Sequence, residues 1–355
     1  MERKLASVQV IKNLEPIEGR DRIMLAEIEG WHVIVGKSDF NIGDKCIYIE
    51  IDSVLDSDNP VFEQARKRSN RVKTMKLAGV YSEGIAYPLS AFNMKPEDWN
   101  EGDDVTQKLH IVKYDEYAGE EPIGVSNLSK KKYNWFQQLW FKLFGYPKRK
   151  KGGFTSLVSK TDETRVQNIP EVLQYKEPVV VTEKCDGQSS TYTIERTFFG
   201  TSFNVYSRNL NVGKDNSNYW KIAEMYDLEN RMSLMLNELG VKWLAIQGEI
   251  AGPGIQKNPY GLKDIDFFVF NIITPEGRWG SEKMAEFCYK YGLGTVPILD
   301  LNYTLPDTVE EMLKYATGPS MLNPQVLREG VVIRSKDGQK SFKAVSPEYL
   351  IKHGK

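Results

Sequence analysis

The chain is 355 residues long, with 41 % hydrophobic and 27 % charged residues and a formal net charge of −1. That length exceeds one ordinary domain and suits two, and the composition is that of a soluble globular protein, neither disordered nor fibrous. Near-neutrality carries no global signal for nucleic acid, so any phosphate-binding surface has to be local.

Residues 1–110 read as short strands separated by turns. VQVIKNLEPI, RIMLAEIEGWHVIVG and KCIYIEIDSVL cluster or alternate β-branched and aromatic residues, with EGRD and NIGD between them. Strands at even spacing predict a small barrel of the OB type or a generic β-sandwich. Arg66, Lys67, Arg68, Arg71, Lys73 and Lys76 put six cations into eleven positions with almost no acids between them. This run is either a phosphate contact or a solvated loop.

Residues 111–160 differ in composition. SKKKYNWFQQLWFKLFGYPKRKKGG sets Trp135, Phe136, Leu139, Trp140, Leu143 and Phe144 between two basic clusters. Spacings of three and four predict a short amphipathic helix, which could dock two domains, grip nucleic acid or touch a membrane surface. We read the region as a linker with an aromatic and basic insertion.

From residue 161 to 355 strands and helices mix. EPVVVTEK, STYTIER, FNVYSRN, KWLAIQGEI, DIDFFVFNI, REGVVIRS and KSFKAVS read as strands. SNYWKIAEMYDLENRMSLMLNELG reads as one helix capped by Gly240. Residues 281–291 and 308–317 look helical, and PEYLIKH is a last short helix. The expectation is an α+β fold around antiparallel sheets, without strict βαβ alternation.

No apolar run reaches the ~20 residues that span a bilayer, and MERKLASVQV lacks the apolar stretch of a secretion signal. Cys46, Cys185 and Cys288 are dispersed, which suits a reducing compartment. The three histidines, His32, His110 and His353, offer no zinc spacing. A cytoplasmic protein with no membrane contact is expected, acting as a monomer.

The sharpest local feature is Lys184-Cys185-Asp186-Gly187, directly after the apolar VVVTE. A lysine at the end of such a strand has a desolvated stem. Desolvation and nearby cations lower an amine's pKa, and a neutral amine is a nucleophile. K-x-D-G alone is also an ordinary surface turn. Downstream, however, come Ser207-Arg208-Asn209, QGEI with Glu249, DFFVFNI with Phe270, REGVVIR with Glu329, and KSFK with Lys340 and Lys343, each on or beside a predicted strand.

In that order, from Thr182 to Lys343, these motifs resemble the covalent nucleotidyltransferase superfamily of DNA ligases, RNA ligases and capping enzymes. The resemblance implies an ATP-grasp-like adenylyltransferase domain built on antiparallel sheets, with ATP and Mg²⁺ or Mn²⁺ as cofactors. Lys184 would form the lysine–AMP bond, and Lys343, with Lys340 as a second candidate, would hold the α-phosphate. Arg208 would meet phosphate, Glu249 the ribose hydroxyl, and Phe270 the adenine face. Glu329 would support the metal through its hydration shell, and Glu183 would help select adenine. Two departures stand out: Asn271 replaces the aspartate that often follows the stacking aromatic, and Ser341 breaks the lysine pair of the last motif.

Domain order narrows the likeness. The barrel-like module precedes the transferase motifs, and after Lys343 only PEYLIKH and a few residues follow. This arrangement, with SLVSKTDETRVQNIPEVL and GEIAGPGIQKNPYG, is similar to RNA ligases with an N-terminal OB domain. The resemblance implies RNA repair: joining a 3′-hydroxyl to a 5′-phosphate at nicks in RNA or RNA-containing duplexes. The alternatives are an ATP-dependent DNA ligase, an RNA guanylyltransferase, or a nucleic-acid-binding protein whose transferase has decayed.

Overall fold

The computed structural model describes residues 3–114, 153–198 and 200–355; the amphipathic helix expected around 130–152 lies outside the described residues. β1 (Ala6–Ile17) explains how the first half curls. Its residues 6–10 pair with β4 (Lys45–Ile49), and residues 11–17 pair with β2 (Arg20–Ile28). A register irregularity between Ile11 and Asn13 marks the change of partner. With β3 (Trp31–Gly36) and β8 (Ile85–Pro88) the sheet order is β3-β2-β1-β4-β8.

β5 (Ser53–Val54) pairs with β9 (Val112–Lys113), and β6 (Thr74–Leu77) forms a hairpin with β7 (Val80–Glu83). The Ile34 amide donates to Ser82 Oγ at 3.0 Å, bringing β7 against β3 and helping to close the barrel. On β3 the buried positions are Trp31, Val33 and Val35, the period of two that points alternate side chains inward. Ile111 joins the barrel core and β9 follows it, so the barrel continues past residue 110.

The second half holds two antiparallel sheets. One is ordered β16-β10-β17-β18, from β10 (Val179–Lys184), β16 (Ile298–Tyr303), β17 (Gly330–Ser335) and β18 (Ser341–Val345). The other is ordered β12-β11-β13-β14-β15, from β11 (Gln188–Thr197), β12 (Gly200–Ser207), β13 (Trp243–Ala251), β14 (Asp266–Thr274) and β15 (Gly277–Arg278). The α+β expectation therefore holds.

Besides the single turn α1 (Glu63–Arg66), helices cover the outer faces. α2 (Asn218–Met225), α3 (Leu228–Leu239) and α4 (Ser281–Lys290) bury Ile222, Met232, Met235 and Met284 against Tyr192, Leu244 and Ile246 of the larger sheet. α5 (Val309–Ala316) packs Met312 and Ala316 on Val181, Val331 and Ile333 of the smaller one. The single helix expected over residues 217–240 is two: Asp227 takes a left-handed conformation (φ +46°), which breaks the helical ladder between α2 and α3.

The barrel is firmly seated on the second half. Val345 and Leu350, the latter on α6 (Pro347–His353), enter the barrel's own core. Trp31 Nε1 donates to Asn168 Oδ1 at 2.6 Å, and Asn168 Nδ2 to Glu50 Oε1 at 2.8 Å. The Gly30 amide reaches the Gln167 carbonyl at 3.1 Å, and a Cβ on Gly30 would lie 2.8 Å from that backbone. Only glycine permits so close an approach. No helix among the described residues is long and apolar enough to cross a membrane.

Candidate active site

β10 ends in one sheet at Lys184, and Cys185, Asp186 and Gly187 carry the chain across to β11 in the other. A Cβ on Gly187 would sit 2.4 Å from the Ile250 carbonyl oxygen, so the crossing needs glycine there. The lysine therefore stands where two sheets diverge, beside a cleft of about 420 Å³ that also reaches the barrel.

Carboxylates crowd the amine. Lys184 pairs with Gly330 in the sheet register, which sets Glu329 alongside it, and Lys184 Nζ donates to Glu329 Oε2 at 2.6 Å. Glu249 comes from β13, opposite Ser189 of β11. Asp186 is held by both the Lys355 ammonium (2.7 Å) and the Tyr349 hydroxyl (2.6 Å). Burial opposes the charge on Lys184, but Glu329, Glu249 and Asp186 outweigh it and raise the amine above its ordinary value. The lowered pKa expected from the sequence is therefore not a property of the ligand-free chain, because the amine's neighbours are anions. Burial pushes Glu249 up to about 8; Lys184 opposes this, and Glu329 and Asp186 add to it.

The facing side of the cleft is cationic. Lys343 on β18 and Arg208 beyond β12 both reach Asp162, Lys343 Nζ to Oδ1 at 2.9 Å and Arg208 Nη2 to Oδ2 at 3.1 Å. Lys113 of the barrel reaches the same Oδ2 at 2.8 Å. Burial lowers Lys343 to about 8, with Asp162 resisting and Arg165 and Lys184 adding to the fall.

Phe270 lines a smaller adjoining cleft with Thr182, Val296 and Val332. Gln247 pairs with Asn271 and Gly248 with Val269, leaving Phe270 as the extra residue of a β-bulge. Arg334, itself paired with Glu163 at 3.3 Å, donates to the Phe270 carbonyl and pins that bulge. Asn271 also lines that cleft, and its Nδ2 donates to Gln247 Oε1 at 2.8 Å.

Glu183 also lines that smaller cleft, and its buried carboxylate accepts from Ser320 Oγ (2.5 Å) and the Met321 amide (2.7 Å), so the side chain fixes the loop after α5. Lys340 lies outside both clefts, its ammonium 4.0 Å from the centre of the Tyr175 ring. Lys340 sits in the turn before β18, outside the strand that carries Lys343 into the cleft.

These features recur in known proteins. An RNA ligase family model matches residues 177–345, and an OB-fold domain model matches residues 5–89. The chain is 32 % identical to Naegleria gruberi RNA ligase solved with pyrophosphate, at TM-score 0.80 with 99 % of each chain covered. Variants of that enzyme solved with ATP and Mn, and with AMP and Mn, match at TM-score 0.79 with the same identity and coverage. The chain belongs to the RNA ligase family. No curated protein matches it.

Lys184, Glu249, Glu329, Arg208, Lys343 and Phe270 are thus gathered in the ligase around two joined clefts. Sequence reading missed Asp162, Lys113, Tyr349 and Lys355. Asp162 stood inside the quoted SLVSKTDETRVQNIPEVL without a role; the others carry no local signal, because only folding brings them here.

A divalent ion suits the donor set. Glu329 stands at the Lys184 amine, with Glu249, raised chiefly by burial, beside it. Among the described residues no three His, Cys, Asp or Glu side chains are close enough to hold an ion by themselves. That arrangement suits a metal that keeps its waters and is carried in with phosphate, as Mg²⁺ does.

Proposed function

We propose that this RNA ligase uses ATP and a divalent metal to join a 3′-hydroxyl to a 5′-phosphate, with Lys184 as the covalent carrier of AMP. The observation that carries the reading is the opposition across one cleft: Lys184 bonded to Glu329 on one side, Lys343 and Arg208 on the other. The ATP and Mn of the Naegleria gruberi structures supply the ligand chemistry.

In the first step the Lys184 ammonium gives a proton to water, the neutral amine attacks the α-phosphorus, an N–P bond forms with loss of a second proton to water, and the P–O bond to the β-phosphate breaks as pyrophosphate leaves. The attack needs an uncharged amine. Glu329 keeps that amine aimed and charged until phosphate arrives, and the metal, when bound, would supply positive charge that offsets the carboxylate's. Lys343 and Arg208 face the place where charge grows on the phosphoryl oxygens, the arrangement that favours the transition state over the ground state. Phe270 offers its ring to adenine from the pinned bulge.

In the second step a 5′-phosphate oxygen of the donor strand attacks the lysyl-AMP phosphorus, and the Lys184 amine departs. In the third, the 3′-hydroxyl attacks the adenylated 5′-phosphate and AMP leaves. Strand ends would reach the cleft along the barrel, although fewer barrel cations are free for them than the sequence suggests. Arg66 donates to the Asp56 and Asn59 carbonyls, Lys67 pairs with Glu63, and Arg71 pairs with Asp52. Arg68, Lys73 and Lys76 remain without an acidic partner among the described residues, and we assign the duplex contact to them.

Mass spectrometry of the protein after incubation with ATP and Mg²⁺ or Mn²⁺ tests the first step. One AMP on the peptide containing Lys184 is expected. An unmodified chain, or AMP on another lysine, overturns the reading. A nicked duplex with an RNA 3′-hydroxyl strand then tests the joining.

A further inference from the structure

Among the described residues, Asp162 is the one acid on which three cations converge, and they come from three separate places: β9 of the barrel, the turn after β12, and β18. Two of the three, Arg208 and Lys343, are the residues assigned above to phosphate. We propose that Asp162 is a resident counter-anion: its carboxylate occupies the phosphate cradle of the ligand-free ligase and thereby sets which phosphoanions the cleft admits. This rests on the reading of the cleft given under Proposed function.

The local structure lets this carboxylate leave cheaply. Each of its three bonds is made by the side chain, and the side chain is 36 % exposed. The flanking backbone is tied down independently. Gln247 Nε2 donates to the Ser159 carbonyl at 3.1 Å, Thr161 Oγ1 bonds Ser189 Oγ at 2.8 Å, and the Lys343 amide donates to the Thr164 carbonyl at 2.8 Å. Rotation about the Asp162 side chain empties the cradle without unravelling the segment.

The resident anion does two things meanwhile. It keeps like charges together: burial opposes ionisation of Asp162, yet Lys343 and Lys113 hold its pKa far below the usual carboxylate range. It also supports the charge of Lys343, whose burial, with Arg165 and Lys184 nearby, works the other way. A tethered carboxylate competes at high effective concentration. A small, weakly charged anion loses that competition, whereas ATP brings three phosphates and a metal. Asp162 is therefore a specificity-determining residue, which raises the threshold against inorganic phosphate more than against ATP.

Inorganic phosphate is the probe, titrated calorimetrically into the full-length protein before any exposure to ATP. Asp162→Asn removes the competing charge, and phosphate is expected to bind about ten-fold tighter or better. Asp162→Glu, which restores an anion, is expected to stay near the parent value. If the asparagine variant does not fold, Asp162→Ala removes the same charge and decides in its place. Equal or weaker phosphate binding in a folded, charge-free variant overturns the proposal and leaves Asp162 as a brace for its three cations. The outcome is separable from the ligase chemistry, because wild-type protein that never gains AMP while the variant binds phosphate tighter refutes the covalent step and not the counter-anion.

Discussion

Two partly buried lysines face the same cleft and are tuned in opposite directions. Lys184 sits among Glu329, Glu249 and Asp186, and its amine is held charged despite burial. Burial brings Lys343 down to about 8, with Arg165 and Lys184 adding to the fall and Asp162 resisting it. Both belong to one sheet, on β10 and β18 with β17 between them, so depth alone does not decide their state. The sign of the neighbouring charge does. On the reading proposed above, the division of labour is the reverse of what the free chain provides: Lys184 would have to become neutral, and Lys343 would have to stay charged. Ligand arrival would correct both, by bringing positive charge to one end and negative charge to the other.

The contrast can be broken most severely at Lys184. Lys184→Arg keeps a cation beside Glu329 but offers no competent amine, and covalent AMP should vanish from the mass spectrum. Lys343→Met removes the charge proposed to act on the phosphoryl oxygens, and single-turnover adenylylation should slow by about 10²–10³-fold. Phe270→Ala leaves both lysines alone and should weaken ATP binding by about 1–3 kcal/mol, read as a rise in the ATP concentration for half-maximal labelling.

Acidity sharpens the comparison further. Lys343 carries its charge below about 8 and loses it above. Phosphate binding to the metal-free, ATP-free protein should therefore fall as pH rises through that value; affinity that climbs instead would detach Lys343 from the cradle. The smallest effect concerns stability. Glu249 titrates at about 8 in the folded chain against an ordinary value of 4.5, so the fold prefers its neutral form. The cost of ionising it grows as pH rises from 4.5 and is complete above about 8. Glu249→Gln escapes that cost, and its thermal midpoint should exceed the parent's by about 2–4 °C at pH 9 while differing little at pH 5.

Much of the architecture was legible because strands announce themselves. VVVTEK, KWLAIQGEI and DFFVFNI became β10, β13 and β14 close to where their β-branched and aromatic runs lie. The K-x-D-G glycine proved to be steric, forced by the Ile250 carbonyl. What stayed hidden depended on contacts between distant segments. Nothing near Asp227 in the sequence says that a helix must break there. Nothing around Lys113 or Lys355 says that one reaches Asp162 and the other Asp186. The site was legible as motifs in order, but their charge states were not, because a pKa is set by what folding brings alongside.

The barrel's interior is finished by Val345 and Leu350, residues made long after its own strands. During synthesis the barrel therefore waits with an apolar gap until β18 and α6 appear, and its maturation is tied to completion of the catalytic half. An isolated barrel would present that gap to solvent as a sticky surface. Cutting the first 110 residues away would in turn strip Val345 and Leu350 of their cover. Substitutions at single positions such as Lys113 are consequently cleaner probes of what the barrel contributes than removal of the barrel itself.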